Sequence, residues 1–165
     1  MEGRVKFLGH SVHPILIVFP LGLLATATIF DVLYLVTGRG TLAQASYWML
    51  AAGVLGGLAA ALFGWIDWFA IPSGTRAKRI GLAHGGTNVA ALVIFGASFL
   101  LRYDVPERPP MIASILAIAG SCLALMGGWL GGELVERLGI SVHEGAHVNA
   151  PSSLTTNSPV HSKSV

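Results

Sequence analysis

Charge is what this sequence lacks most. Only 11% of its 165 residues are Asp, Glu, Lys or Arg, against roughly a quarter in an ordinary soluble domain. So few charges cannot clothe a water-soluble globule in which 53% of the residues are apolar, and the lipid bilayer is the expected solvent. A net charge of only +2 with no basic run argues against nucleic acid as a partner. A lone cysteine, Cys122, excludes an intramolecular disulfide, and its apolar surroundings suit a structural thiol.

What is abundant is apolar length. Four runs, 15–36, 47–70, 82–101 and 111–132, each reach the 20 or so residues that a spanning helix needs. Gly38, Gly40, Pro72, Gly74, Pro106, Pro109 and Pro110 punctuate the breaks. The expected fold is all-α: a four-span transmembrane helix bundle with short loops. Residues 1–14 form an N-terminal segment, 15–135 the membrane domain and 136–165 a polar tail, disordered over 150–165, where Ser, Thr and Pro dominate. Arg4 and Lys6 before the first run, and the triplet Ala25, Thr26, Ala27 within it, imitate a signal peptide. The run continues unbroken to Val36, which suits a span and not a signal.

With four spans, both termini and the middle loop share a face. That face carries Arg4, Lys6, Arg76, Lys78, Arg79, Arg137 and Lys163; the other carries Arg39, Arg102 and Arg108. The positive-inside rule then expects both termini in the cytoplasm. Small residues recur every fourth position as Gly53, Gly57, Ala61, beside Gly56, Ala60, Gly64, and as Gly120, Ala124, Gly128, Gly132. Such ridges predict close helix packing, within the bundle or against a second copy or a membrane partner.

Ionisable residues at membrane depth are costly and mark function. His10, His13, Asp67, His84, Asn88 and Glu133 all fall at the cytoplasmic ends of the spans, whereas Asp31 falls near the opposite face. Pro14 fixes His13 at the start of the first helix. His84 and Asn88, four apart, share a helical face. Two histidines on different helices at similar depth are permitted ligands for a transition metal or a haem iron. The plainer reading has the imidazoles at headgroup level, Trp65 and Trp68 as an aromatic belt, and Asp67 capping or paired with Arg76 or Arg79.

Two further motifs are weak. His143, Glu144 and His147 match the spacing of a zinc protease, but Gly145, Asn149 and Pro151 spoil the helix it requires. Ser73, Gly74, Thr75 and Arg76 resemble a phosphate cradle without its full glycine frame, so lipid headgroups are the simpler contact for Arg76, Lys78 and Arg79.

HPILIVFPLGL from position 13, GWIDWFAIP from position 64, His84, and GGELVERLGISV from position 131 together resemble the bacterial integral membrane proteins grouped as domain of unknown function 2231. The resemblance implies four spans in the inner membrane. A looser likeness to four-helix cytochrome b folds makes His13 and His84 candidate haem ligands by fold analogy.

The leading expectation is a b-type haem or a metal in the cytoplasmic-end cluster. His13 and His84 would be the ligands, with His10 joining them for a bare metal. Asp67, Asn88 and Glu133 would support them, and Arg76 or Arg79 would meet propionates or lipid. The alternatives are a non-enzymatic structural subunit and a small transporter or proton channel gated by Asp31 and Asp67. The sequence leans against an enzyme without deciding it, and leaves a redox or electron-transfer role open.

Overall fold

A computed structural model describes residues 1–155, most of them in four long helices. Helix α1 spans Val12–Thr37, α2 Gly40–Ala70, α3 Arg76–Leu101 and α4 Met111–Gly132; α4 runs on into a π-helical turn, Glu133–Arg137. All four are long and apolar enough to cross a membrane, so the expected all-α four-span bundle is present. The helices begin earlier than the apolar runs, α2 at Gly40 and α3 at Arg76, because backbone bonding continues through polar residues. At 31 residues, α2 is about 46 Å long, more than the hydrocarbon core of about 30 Å.

Short connections make consecutive helices antiparallel neighbours. Gly38, left-handed at φ 68°, donates its amide to the Tyr34 carbonyl and ends α1. The Thr75 hydroxyl accepts from the Lys78 amide and starts α3. Each helix packs on the next and α4 returns against α1, closing an up-down-up-down bundle. The N-terminal segment adds a feature that hydropathy does not reveal: a small antiparallel hairpin, β1 Lys6–Phe7 and β2 His10–Ser11. Positions 156–165 of the expected tail lie outside the described residues.

Polarity is inverted relative to a soluble protein. Val18, Phe19, Leu58, Leu125 and Trp129 are exposed, as is Cys122, while Asp31, Ser46, Ser98, Arg102 and Ser114 are fully buried. Lipid accepts apolar side chains and offers polar atoms no partner, so the polar atoms turn inward. They share the interior with an apolar core of Leu24, Ala27, Leu50, Ala91, Phe95 and Ala117.

The glycine ridge on α2 packs as its spacing suggests: Gly53 lies under Leu24, Gly57 under Leu92, and Gly56 against Phe19 and Pro20. On α4 the ridge needs correction. Gly120 faces Phe95, but Gly128 and Gly132 meet nothing, and Gly127 and Gly131 carry the contacts instead, against Asn88 and His84. At 3.6 residues per turn, steps of seven and eleven from Gly120 return to its face, whereas steps of eight and twelve swing away from it.

Candidate functional site

His13 and His84 converge at one end of the bundle, where α1 and α3 begin and α2 and α4 finish. Their ring centroids are 6.4 Å apart and their planes perpendicular at 89°. Each ring is anchored in the same way. His13 Nδ1 donates to the Ala60 carbonyl of α2 at 2.9 Å, and His84 Nδ1 donates to the Gly127 carbonyl of α4 at 2.8 Å. A carbonyl only accepts, so in each ring Nδ1 bears a proton and Nε2 is the nitrogen left for another partner; at His84 it has Asn88 Nδ2 within 3.4 Å. A side chain on either helix would block these seats: a Cβ at Gly64 would lie 2.9 Å from His13 Cε1, and one at Gly131 would lie 3.1 Å from His84 Cε1.

The rings border a cavity of about 380 Å³ between the four helices, within the range of small-molecule sites. Its walls are mainly apolar, with Ile17, Leu21, Leu92 and Phe95 among them, and Asp67 and Asn88 supply polar groups. Asn88 Nδ2 donates to the His84 carbonyl at 2.8 Å and lies within hydrogen-bond reach of both nitrogens of that ring, 3.3 Å from Nδ1 and 3.4 Å from Nε2.

Several expected members are placed elsewhere. His10 lies on the hairpin, exposed, with Nδ1 against the Leu8 carbonyl, and does not line the cavity. Among the described residues no group of three His, Cys, Asp or Glu side chains could hold a metal ion, so the three-histidine set is corrected to a pair. Glu133 is outside the cavity wall, bound to Arg76 Nη2 at 2.5 Å. That bond overturns the expected pairing of Asp67 with Arg76, and Arg79 is exposed. Asp67 is buried, and its Oδ1 accepts the Arg4 backbone N–H at 2.6 Å, which ties the N-terminal segment to the end of α2. Ser141, which lines the cavity, donates its amide to the Met1 carbonyl at 2.8 Å, so the chain beyond the π turn meets the same segment. Lys78 is also committed: Nζ lies 3.8 Å from the Trp68 ring centre and donates to the Trp68 carbonyl at 2.7 Å.

His143 and His147 lie in turns, not on a helix, and each Nδ1 accepts the amide two residues ahead, Gly145 at 3.0 Å and Asn149 at 3.2 Å. They share no helical face, which removes the geometry a zinc protease requires.

The opposite end holds a network the sequence reading missed. Arg102 grips Asp31 with two parallel bonds, Nη1 to Oδ1 at 2.8 Å and Nη2 to Oδ2 at 2.9 Å, and neither side chain is exposed. Its remaining donors reach Ser46 Oγ at 3.1 Å, Ser98 Oγ at 2.9 Å and the Ser98 carbonyl at 3.2 Å, so all five N–H groups are satisfied. Ser98 Oγ passes the chain on to the Ala113 carbonyl at 2.6 Å, so the network touches all four helices. Arg102 is therefore a buried tie, not a loop cation, and Asp31 is not a free acid at a channel mouth. A lone acid and a lone base ending two runs at the same end were the available signal.

Comparison with curated proteins and with solved structures gave no significant match. A family model described as "Predicted membrane protein (DUF2231)" matches residues 9–144, which take in all four helices and both histidines. The chain belongs to this family, domain of unknown function 2231.

Proposed function

We propose that His13 and His84 would hold a b-type haem, and that the protein carries electrons in a bacterial inner membrane. One observation carries the reading: two imidazoles on different helices, each fixed through Nδ1 to the backbone of the helix beside it, border one cavity. Their ring centres are 6.4 Å apart, so one occupant of the cavity can reach both.

The donor set also suits a macrocycle better than a bare ion. Two imidazoles fill only two positions, and no third His, Cys, Asp or Glu joins them among the described residues, whereas a porphyrin brings four nitrogens of its own. An Nδ1–H bonded to a backbone carbonyl orients a ligating histidine and raises its basicity. Bound haem supplies one-electron exchange at iron, and the chain's own residues hold and orient it and exclude water. Arg4, Lys6, Arg76, Lys78 and Arg79 at the histidine end, with Arg102 neutralised at the other, support a cytoplasmic histidine end and cytoplasmic termini.

Protein purified in mild detergent from haem-supplied cells is expected to show a Soret band and one haem per chain. His13→Ala and His84→Ala are each expected to lose it while keeping their helical circular dichroism. Wild-type protein without haem would refute the reading. It would favour the structural alternative, in which the two Nδ1 bonds simply tie α1 to α2 and α3 to α4.

A further inference from the structure

The two halves of the bundle repeat one another. A step of 71 positions carries His13 on α1 to His84 on α3, Leu24 to Phe95, and Asp31 to Arg102. A step of 67 carries Gly53 on α2 to Gly120 on α4, Ala60 to Gly127, and Gly64 to Gly131. The contacts obey the same relation. Leu24 covers Gly53 as Phe95 covers Gly120, and His13 covers Gly64 as His84 covers Gly131. The Ala60 carbonyl receives His13 as the Gly127 carbonyl receives His84. Even the helix ends correspond, Ala70 of α2 with Arg137 of the π turn. The identities that survive are spaced alike: Ala52, Gly53, Leu58 and Gly64 recur as Ala119, Gly120, Leu125 and Gly131.

We infer that the chain is two equivalent helical hairpins joined through the loop 71–75. Their pseudo-twofold axis runs between His13 and His84 at one end and between Asp31 and Arg102 at the other. Gly64 and Gly131 are matched positioning residues that set the two imidazoles. Equivalent helices run in the same direction, so this is a parallel repeat about the membrane normal, not an inverted one.

Two cavity-lining pairs break the symmetry. Asn88 occupies the place of Ile17, and Asp67 that of Leu134. Both polar members belong to the adjacent helices α2 and α3, so that wall offers an amide and a carboxylate while the α1 and α4 wall is apolar at the equivalent places. An occupant gripped on the axis by two imidazoles therefore meets one polar and one apolar wall. This last step and the role of the two glycines rest on the haem reading; the repeat itself does not.

The full chain, supplied with haem, tests both parts. In the first arm, Gly64→Ala and Gly131→Ala are expected to shift the midpoint potential and the ferric electron paramagnetic resonance of the haem in the same direction and to a similar extent. A shift confined to one variant would overturn the matched roles. Wild-type protein without haem would overturn the proposed function, and the second arm would then decide the repeat alone.

In that arm the far-end network is exchanged across the axis. Asp31→Arg or Arg102→Asp alone, which buries two like charges side by side, is expected to lower the melting temperature by at least as much as Arg102→Leu. Ala27 and Ala113 stand at the twofold places of Ser98 and Ser46. Combining Asp31→Arg, Arg102→Asp, Ala27→Ser, Ser98→Ala, Ser46→Ala and Ala113→Ser is thus expected to restore melting to near the wild-type value. An exchanged protein no more stable than the single reversals would overturn the repeat.

Discussion

Replacing Arg102 by Leu removes all five N–H donors of the far-end network at once. Asp31 then loses both of its bonds and Ser46 its partner, whereas Ser98 keeps its bond to the Ala113 carbonyl. The carboxylate has no exposure through which water could compensate it. Stranding one member of a buried pair costs about 3–5 kcal/mol. At about 2–4 °C per kcal/mol for a chain of this size, that is a fall of roughly 6–20 °C in melting temperature. The double variant Asp31→Leu, Arg102→Leu takes from Ser46 and Ser98 only the neutral acceptor contacts that Arg102 made, and replacing a whole buried pair by apolar residues is near neutral. It is expected to melt within about 3 °C of wild type. Thermal unfolding in one detergent, followed by circular dichroism, measures both. A single variant as stable as wild type, or a double variant as unstable as the single, would refute this account of the pair.

Asp67→Ala removes the acceptor for the Arg4 amide, and should speed hydrogen exchange at residues 3–5 and tryptic cleavage after Arg4; unchanged rates would mean that the segment is held by other contacts. Gly127→Ala would place a methyl 2.5 Å from Asn88 Oδ1, and overpacking of this kind costs about 1–3 kcal/mol, read as a lower melting temperature. The Arg76 to Glu133 bond has its guanidinium 54% exposed, so Arg76→Ala should move the melting temperature by no more than about 2 °C. A large loss there would assign that surface a structural role it lacks in this description.

Hydropathy and length made the four helices legible, because crossing lipid demands a long apolar run and little else does. They left the hairpin around Leu8 and Gly9 invisible, since two short strands carry no periodicity. The histidine pair was half legible: Pro14 and the spacing of His84 and Asn88 set both rings at one depth, but their common cavity depends on how the helices rotate. That rotation is fixed by which glycines face inward. A four-residue step along α4 selects Gly128 and Gly132, and the helical pitch selects Gly127 and Gly131. Glu133 was misassigned for a different reason. It follows α4 into the π turn, where Arg76 of the neighbouring helix reaches it first. Arg102 was read as a loop charge because it follows an apolar run, though no exposed arginine would leave Asp31 so deeply buried without a partner. The repeat escaped because few identities survive between the halves; only paired contacts bring it out.

Low-temperature electron paramagnetic resonance of the oxidised, detergent-purified protein tests the central claim most directly. Two imidazole nitrogens on one iron predict a low-spin ferric signal that disappears in both His13→Ala and His84→Ala. A high-spin signal from the wild type, or no iron after haem is supplied, would contradict it.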